Sequence, residues 1–255
     1  MPSFTRSTIA REQHPKENHG IIISVFRETI NNHPCQEPED RGKKQLSCRD
    51  RLASPSRSET IARMAGLILG STSGYRRALM ERLQVPFTCE APGVDEQDVK
   101  QLGHKPMVVV EELARRKATA VFDRNPTCVV IGSDQAAVLD DDLLDKPKNR
   151  AGAIQQLHRL RGREHRLITA VAIAHDKGLT EFCDITRLIM RDLTDQEIAR
   201  YVDAEKPFDC AGSYKIEQLG ITLFEHIDSR DHTAIIGLPL LQLTHELRKI
   251  GVPLP

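Results

Sequence analysis

Two nearly uninterrupted apolar runs constrain the fold of this chain more than any other feature of its sequence. They are Cys128–Ile131 and Leu167–Ala174. A strand with helices on both faces shows such a run, whereas a strand with one face in solvent alternates apolar and polar residues. From Leu67 onward, apolar runs also alternate with amphipathic segments, which is typical of an α/β domain. The sequence therefore predicts a sheet whose central strands are buried between helices.

Several elements of this domain have recognisable boundaries. Pro106 stands where a helix should start, and apolar residues follow it at helical spacing. The predicted buried stripe of this helix consists of Val110, Leu113, Ala114, Ala118 and Val121. Phe182–Met190 and Ile221–Glu225 are predicted strands, the first of them next to Leu167–Ala174. Thr194–Glu197 fits a capping box, which predicts a helix start.

Residues 1–63 differ from the rest of the chain. They are polar and rich in turn-forming residues, and their one apolar run, Ile21–Phe26, is short. Such a segment lacks the apolar surface that folding requires, so we expect a disordered extension. Because Met64 stands directly before the first predicted strand, a mis-assigned leader is the alternative. Neither a transit peptide nor a secretory signal fits the pattern, and the predicted folded domain spans residues 64–255.

Composition argues against several classes of partner. Lys and Arg together number 36, as do Asp and Glu, so no overall field attracts nucleic acid or an anionic membrane. The apolar runs are far shorter than the roughly 20 residues that span a bilayer. Six cysteines show no C-x-x-C spacing and ten histidines show no H-E-x-x-H spacing, so we expect neither a disulfide framework nor a structural zinc site. The expected compartment is a reducing cytoplasm.

The segment from Leu67 to Arg77 has the features of an anion site. An apolar run ends in Gly70-Ser71-Thr72-Ser73, and Arg76 and Arg77 then open a predicted helix. Backbone N–H groups at a helix start carry partial positive charge, and guanidinium groups bind phosphate oxygens in a bidentate fork. Taken alone, the pattern is equally consistent with an ordinary helix cap followed by solvated arginines.

Three further residues stand at positions that suggest chemistry. Lys117 falls inside the predicted apolar stripe, so it either extends outward to solvent or faces a pocket that contains an anion. Asp134 follows an apolar run at its polar end, where open α/β sheets bind ligands, although a turn cap with Gly132 is an equal alternative. Lys146 precedes a helix entrance. The acidic run Asp140–Asp142 is interpreted as a hairpin tip in preference to a cation site.

In their order along the chain, these features resemble the Maf family of nucleoside triphosphate pyrophosphatases. The resemblance extends from Leu67 to Gly251. Its motifs are Gly70-Ser71-Thr72-Ser73 with Arg76-Arg77, Val94-Asp95-Glu96, Arg116-Lys117-Ala118, Gly132-Ser133-Asp134, Lys146-Pro147, Cys210-Ala211-Gly212-Ser213-Tyr214 and Gly237-Leu238-Pro239. It implies a single α/β domain of the Maf/ITPase type, with a twisted mixed sheet, flanking helices and a deep nucleotide cleft. It also implies a homodimer.

The resemblance further implies a reaction and a set of site residues. Family enzymes hydrolyse the bond between the α- and β-phosphates with the help of Mg²⁺, Mn²⁺ or Co²⁺, chemistry that needs charge neutralisation and an oriented water. The implied residues are, for catalysis, Asp134, Lys117, Lys146 and Glu96 and, for phosphate binding, Ser71, Arg76 and Arg77. Asp134 is the implied proton acceptor. A metal-ligand role for Asp134, together with Glu96, is the alternative.

Three positions match those associated with substrate choice in the family, namely Tyr75, Gln135 and Glu217. The chain looks most like the branch that acts on 7-methyl-GTP, because Ser133-Asp134-Gln135 and Lys215-Ile216-Glu217 differ from the Ala-Asp-Thr and Gly-Ile-Gln of the dTTP/UTP branch. A 7-methylguanine base is positively charged and would bind the face of Tyr75. The alternatives are a dTTP or UTP preference and a non-catalytic, nucleotide-binding regulator of cell division.

Two residues depart from the family pattern. Gly74 stands where proline is usual, which predicts a less preorganised helix start. Asp145 stands where glycine is usual, which places a negative charge beside Lys146. We expect both departures to affect the rate of the reaction more than its type.

Overall fold

The computed structural model describes residues 66–254 of the chain. The extension or leader predicted at residues 1–63 lies outside this range. All the described residues belong to one compact unit. None of the helices described is long and apolar enough to cross a membrane.

The described chain alternates strands and helices, as the sequence predicts. The strands are β1 (Leu67–Leu69), β2 (Thr88–Cys89), β3 (Val129–Leu139), β4 (Asp142–Leu144), β5 (Glu164–His175), β6 (Gly178–Met190) and β7 (Phe224–Asp228). The helices are α1 (Gly74–Glu81), α2 (Glu96–Lys100), α3 (Pro106–Phe122), α4 (Arg150–Leu160), α5 (Asp195–Glu205), α6 (His232–Ile236) and α7 (Leu240–Lys249). Two 3₁₀ turns cover Ala211–Ser213 and Leu219–Leu223.

The strands form one mixed sheet with helices on both faces, which confirms the predicted fold class. The sheet order is β2-β1-β3-β5-β6-β7, with β4 paired to β3. β1 is parallel to β2 and β3, whereas the other pairs are antiparallel. Successive residues of a strand point to opposite faces. Ile131 accordingly packs with α1 and α7, whereas Val130 packs with α3. This two-sided cover explains why β3 and β5 have nearly continuous apolar sequences.

The edge of β3 that faces away from β5 is shared by two short strands. β1 pairs with Val129–Ile131 and β4 pairs with Ala137–Leu139, so no described strand pairs with this edge between them. The expectation that Asp134 stands at the end of its strand is therefore wrong. β3 continues through Asp134 to Leu139 because β5 pairs with it along this whole stretch. The uncovered part of β3 therefore arises because β1 ends, while β3 itself continues.

Helix α3 lies directly against β3 at this point. The five residues of its predicted stripe are all buried, and Lys117 lies among them with 7% of its surface exposed. A Cβ atom at Gly132 would collide with the backbone of Ala114 and Ala118, so only glycine permits this close approach. The approach places Lys117 beside the part of β3 that β1 and β4 leave uncovered.

Three other expectations have mixed outcomes. The capping box at Thr194 is present, and Phe182–Met190 lies within β6 next to β5. The predicted strand at Ile221–Glu225 is wrong in its first part, since Leu219–Leu223 forms a 3₁₀ turn and β7 begins at Phe224. The backbone N–H groups of Gly220 and Ile221 bond to carbonyls of Lys215 and Gln218, as in a turn, and strand pairing with β6 begins only at Phe224.

Candidate active site

Lys117 joins two carboxylates at the uncovered part of β3. Its Nζ donates to Oδ1 of Asp134 and to Oε1 of Glu96, each at 2.6 Å. Asp134 is 8% exposed, whereas the side chain of Glu96 is 43% exposed. The ammonium donates a hydrogen bond to each carboxylate, and pairing of this kind is the condition under which Lys117 and Asp134 can be buried. The Lys117 side chain therefore faces into the cleft and does not extend outward to solvent, which were the two alternatives from the sequence.

Glu96 reaches this cluster from a short helix that the sequence analysis did not identify. Glu96 is the first residue of α2. The Asp95 side chain caps this helix by accepting a hydrogen bond from Gln97 N at 2.9 Å. Burial raises the pKa of Glu96, but the hydrogen bond and charge of Lys117 outweigh it, and the net pKa lies below its usual value.

Arg76 lies near the same two carboxylates. Its Nε donates to the carbonyl oxygen of Gly237 at 3.0 Å, and Ser133 Oγ donates to the same oxygen at 3.1 Å. Burial lowers the pKa of Arg76, an effect that the charges of Asp134 and Glu96 partly offset. A guanidinium held through one nitrogen retains its other N–H groups for a ligand. Among residues 66–254, Arg76 is thus a fixed cation with N–H groups to spare.

These groups line one cleft, which we call the cationic cavity. Its charged lining comprises Arg76, Glu96, Lys100, Lys117, Asp134, Asp145, Lys146 and Lys148. Lys146, predicted from the sequence, is exposed and has no ion pair within residues 66–254. Lys100 was not predicted. The sequence signal that could have identified Lys100 is Asp95, which can cap a helix. A helix that starts at Glu96 places Lys100 one turn later, on the same helix face as Glu96.

A second hollow, which we call the apolar pocket, opens beside the cationic cavity. Its lining includes Tyr75, Leu167, Cys210, Tyr214, Glu217 and Ile235. Arg76, Gln135 and Lys146 line both spaces, so the two are contiguous. The structure therefore brings together all three residues predicted for substrate choice, and it connects them to the cluster around Lys117.

The polar groups of the apolar pocket differ in how firmly they are held. Gln135 Nε2 donates to Thr169 Oγ1 and to the carbonyl of Ala234, each at 2.8 Å, which leaves its Oε1 as an acceptor for the pocket. The hydroxyl oxygen of Tyr75 lies 3.7 Å from Cys210 Sγ. Burial raises the pKa of this hydroxyl, and the contact with Cys210 raises it further. Glu217 is exposed. The pocket thus offers an aromatic face, an amide oxygen and a carboxylate.

A turn of unusual geometry shapes one wall of this pocket. Gly212 and Ser213 both adopt positive φ angles, of 76° and 63°. A Cβ atom at Gly212 would meet the ring of Tyr214, so this turn needs glycine. Behind the wall, the hydroxyl of Tyr214 lies 3.0 Å from His165 Nε2, and burial lowers the pKa of His165 to about 4. A neutral histidine therefore supports the pocket from the core.

Ser71 and Arg77 do not join the cationic cavity. They line a third hollow with Gly74 and Cys89 at the start of α1, which shares Ser73 with the apolar pocket. Ser71 is buried and its Oγ accepts from Ser73 N at 3.2 Å, whereas Arg77 is exposed. Neighbouring residues of a helix point about 100° apart, which separates Arg77 from Arg76. Phosphate binding by Ser71 and Arg77 stays a prediction.

Asp134 and Glu96 are the two carboxylates of the cluster available to a metal. In the described part of the chain, no group of three or more His, Cys, Asp or Glu side chains converges. Mg²⁺ takes oxygen ligands and is commonly held by one or two carboxylates together with substrate phosphates. The donor set therefore fits a cation that shares its ligands with a phosphorylated substrate.

Comparison with known proteins matches the chain to one family and to relatives that share one name. Residues 66–250 match the family model described as Maf-like protein. A 7-methyl-GTP pyrophosphatase of Xanthomonas oryzae pv. oryzae is 48% identical over 192 residues, which are 75% of this chain and 100% of that protein. One of Aromatoleum aromaticum is 46% identical over 195 residues, which are 76% of this chain and 100% of that protein.

A solved structure shows a weaker likeness. The Staphylococcus aureus Ham1 protein aligns with a TM-score of 0.43 and 18% identity, over 71% of this chain and 98% of that chain, which is too weak to carry an argument. The family match covers most of the described residues, and the two relatives are matched over their whole lengths. The chain belongs to the Maf family.

Proposed function

We propose that this protein hydrolyses 7-methyl-GTP to 7-methyl-GMP and pyrophosphate, which removes a modified nucleotide from the cellular pool. The observation that carries the proposal is the contiguity of the two spaces. The cavity lined by Asp134 and Lys117 shares Arg76, Gln135 and Lys146 with the pocket lined by Tyr75 and Glu217. Relatives named 7-methyl-GTP pyrophosphatase, 48% and 46% identical to the chain, support this choice of substrate.

The apolar pocket suits a methylated guanine base. The 7-methyl group gives the base a positive charge, which favours the face of Tyr75 through a cation–π contact. Glu217 is exposed at the pocket and offers oxygens to the guanine N1–H and amino group. Gln135 Oε1 offers another acceptor, because Nε2 is already engaged by Thr169 and Ala234. Neutral pyrimidines lack both the charge and this donor pair.

The cationic cavity suits the triphosphate. Arg76 and Lys146 line both spaces, so they lie where the base-bearing end of the phosphate chain enters. Lys117 lies deeper, held by Asp134 and Glu96. Cations fixed before the substrate arrives stabilise the charge that develops on phosphoryl oxygens without further reorganisation. This neutralisation is the main requirement for attack on a phosphorus surrounded by anionic oxygens.

Asp134 is the proposed general base. A water oxygen forms a bond to the α-phosphorus, and the bond from that phosphorus to the α–β bridging oxygen breaks. The bonding electrons leave with pyrophosphate, and the water proton passes to the Asp134 carboxylate. Lys117 orients this carboxylate through its 2.6 Å hydrogen bond. The alternative, in which Asp134 serves as a metal ligand, uses the same position of the side chain.

A divalent cation, Mg²⁺, Mn²⁺ or Co²⁺, is part of the proposal, with Glu96 as its protein ligand; in the alternative role of Asp134, both carboxylates would hold it. When bound, it supplies charge neutralisation and polarisation at the phosphoryl oxygens. One oxygen of each carboxylate lies 2.6 Å from Lys117 Nζ, and this proximity of Glu96 to Asp134 supports a cation site at the same part of the cavity. Glu96 contributes by helping to hold the cation.

The test is pyrophosphate release by the full chain from a panel of nucleotides with each of the three metals. We expect 7-methyl-GTP to give the highest kcat/KM. Faster turnover of dTTP or UTP would overturn the choice of substrate while leaving the reaction intact. Nucleotide binding without product under every metal would instead favour a regulatory role.

A homodimer and a cytoplasmic location complete the proposal. The first rests on the family resemblance and the second on the scattered cysteines. Light scattering on the purified full chain, and fractionation of cells that produce it, test these two points separately.

A further inference from the structure

One ion pair links two walls of the cationic cavity and has no role in the proposed mechanism. Lys100 Nζ lies 2.7 Å from Asp145 Oδ1. Lys100 is the last residue of α2, the helix that carries Glu96, and Asp145 directly follows β4 and precedes Lys146. The two side chains are 27% and 65% exposed, so the pair lies at the solvent side of the cavity.

The pair lies away from the part of the cleft that suits a base. Lys100 and Asp145 line the cationic cavity but not the apolar pocket, whereas Arg76 and Lys146 line both. A nucleotide with its base in the apolar pocket has its α-phosphate nearest to the shared residues. Its β- and γ-phosphates then extend into the cationic cavity, toward the wall that carries Lys100.

Lys100 has the charge and freedom that a phosphate ligand requires. Burial lowers the pKa of Lys100, but the bond to Asp145, aided by the charges of Glu96 and Asp134, raises it above its usual value. The ammonium is thus firmly charged. A partly exposed ion pair contributes little stability, so exchanging Asp145 for a phosphate oxygen costs little. The backbone of α2 does not depend on this pair, because Val99 anchors the helix against Val109 and Leu113.

We propose that Lys100 binds the terminal phosphates of the substrate, and that Asp145 holds Lys100 when no substrate is present and thereby competes with it. The proposal rests on the proposed function, because the terminal phosphates are those released as pyrophosphate. Lys100 is then a substrate-binding residue, and Asp145 weakens binding by occupying the ammonium that the phosphates need.

The experiment compares Lys100→Met and Asp145→Asn with matched controls in the full chain. Lys105→Met removes an exposed lysine near α2, and Asp98→Asn removes an exposed carboxylate on α2 itself. Calorimetry with inorganic pyrophosphate and Mg²⁺ measures binding, and steady-state kinetics with 7-methyl-GTP measures KM and kcat separately. Competition by 7-methyl-GMP measures binding of the base and α-phosphate alone.

For Lys100→Met, we expect the Kd of pyrophosphate and the KM to rise about tenfold, with kcat within about twofold and 7-methyl-GMP binding unchanged, as expected for loss of one charge-assisted hydrogen bond. For Asp145→Asn, we expect pyrophosphate to bind about threefold more tightly because the competitor is gone. Both controls should match the unchanged protein.

Three results would overturn the proposal. The first is pyrophosphate affinity within twofold of the unchanged protein for Lys100→Met. The second is a lower kcat and thermal midpoint with KM unchanged, which would show that the pair only positions α2 and Glu96. The third is weaker pyrophosphate binding by Asp145→Asn. If no nucleotide is hydrolysed but pyrophosphate binding still depends on Lys100, the proposed function fails and the assignment of Lys100 stands.

Discussion

The cationic cavity and the apolar pocket adjoin each other, yet they are built in different ways. In the cavity, Lys117 and Asp134 come from the middle of α3 and β3, and each fixes the other. In the pocket, Tyr75 comes from the first turn of α1 and Glu217 from a loop, and Glu217 is exposed. The difference suggests that Lys117 and Asp134 are held rigidly for chemistry, whereas Tyr75 and Glu217 stand on segments that are freer to vary.

The two spaces also differ in what maintains them. The buried charges of the cavity depend on Lys117, because its removal would leave the buried Asp134 unpaired. The pocket instead depends on packing of aromatic rings. The ring centroids of Tyr214 and Phe224 are 4.9 Å apart in an edge-to-face contact, and those of Tyr214 and His165 are 5.6 Å apart. Changes in the cavity should therefore affect turnover of every substrate. Changes in the pocket should affect which substrate is preferred.

The largest expected effect is on turnover, from Asp134→Asn. The amide cannot accept the water proton, so kcat should fall by about a thousandfold for all nucleotides, within the usual contribution of a general base. Circular dichroism and the thermal midpoint should show an intact fold. The matched control is Asp141→Asn, at a carboxylate whose side chain is 95% exposed. Turnover by Asp134→Asn near that of the control would remove Asp134 from the mechanism.

The next expected effect is a loss of stability in acid, caused by His165 behind the apolar pocket. Because burial lowers the pKa of His165 to about 4, the unfolded chain binds a proton below pH 6.5 that the folded chain does not. The stability gained from a neutral His165 is therefore present above pH 6.5 and is lost as the pH falls. Between pH 8 and 4.5 we expect the free energy of unfolding to fall by roughly 2 to 3 kcal/mol from this group.

Urea denaturation at several pH values measures this change, with His165→Gln as the comparison because it cannot titrate. The variant should be less stable at pH 8, and its stability should depend less on pH in the acid range. Equal pH dependence in both proteins would show that His165 is not the group responsible.

A smaller, selective effect is expected from Glu217→Gln. An amide presents one acceptor in place of two, so kcat/KM for 7-methyl-GTP should fall by about tenfold, the value of one hydrogen bond to a charged group. The kcat/KM for UTP should change little. Glu225→Gln, at an exposed residue of β7, is the control. An equal loss for every nucleotide would place Glu217 with the catalytic groups and contradict the comparison.

The smallest effect is expected from Arg77→Met. Arg77 lines the hollow at the start of α1 and not the cationic cavity, so its loss should raise KM by less than about threefold, whereas Arg76→Met should raise KM by about thirtyfold. Measuring KM for both variants ranks the two arginines. Equal effects would show that the phosphates reach the hollow of Ser71 and Arg77.

Much of the fold could be predicted from the sequence because its strongest signals are local. The apolar runs of β3 and β5, the helix start at Pro106 and the capping box at Thr194 all depend on neighbouring residues in the chain. The 3₁₀ turn at Leu219–Leu223 could not be predicted in this way, because apolar residues there resemble a strand. The short helix α2 was missed because five residues give too little periodicity.

The sequence by itself determined which groups are available: a lysine in an apolar stripe, an aspartate in an apolar run, and an arginine pair after small residues. Only the tertiary structure decided which of them meet. Asp134 and Gln135 are adjacent in β3, yet strand alternation turns one toward α3 and the other toward α6. Helical rotation likewise separates Arg76 from Arg77. Lys100 and Asp145 meet only because α2 and β4 border the same cavity.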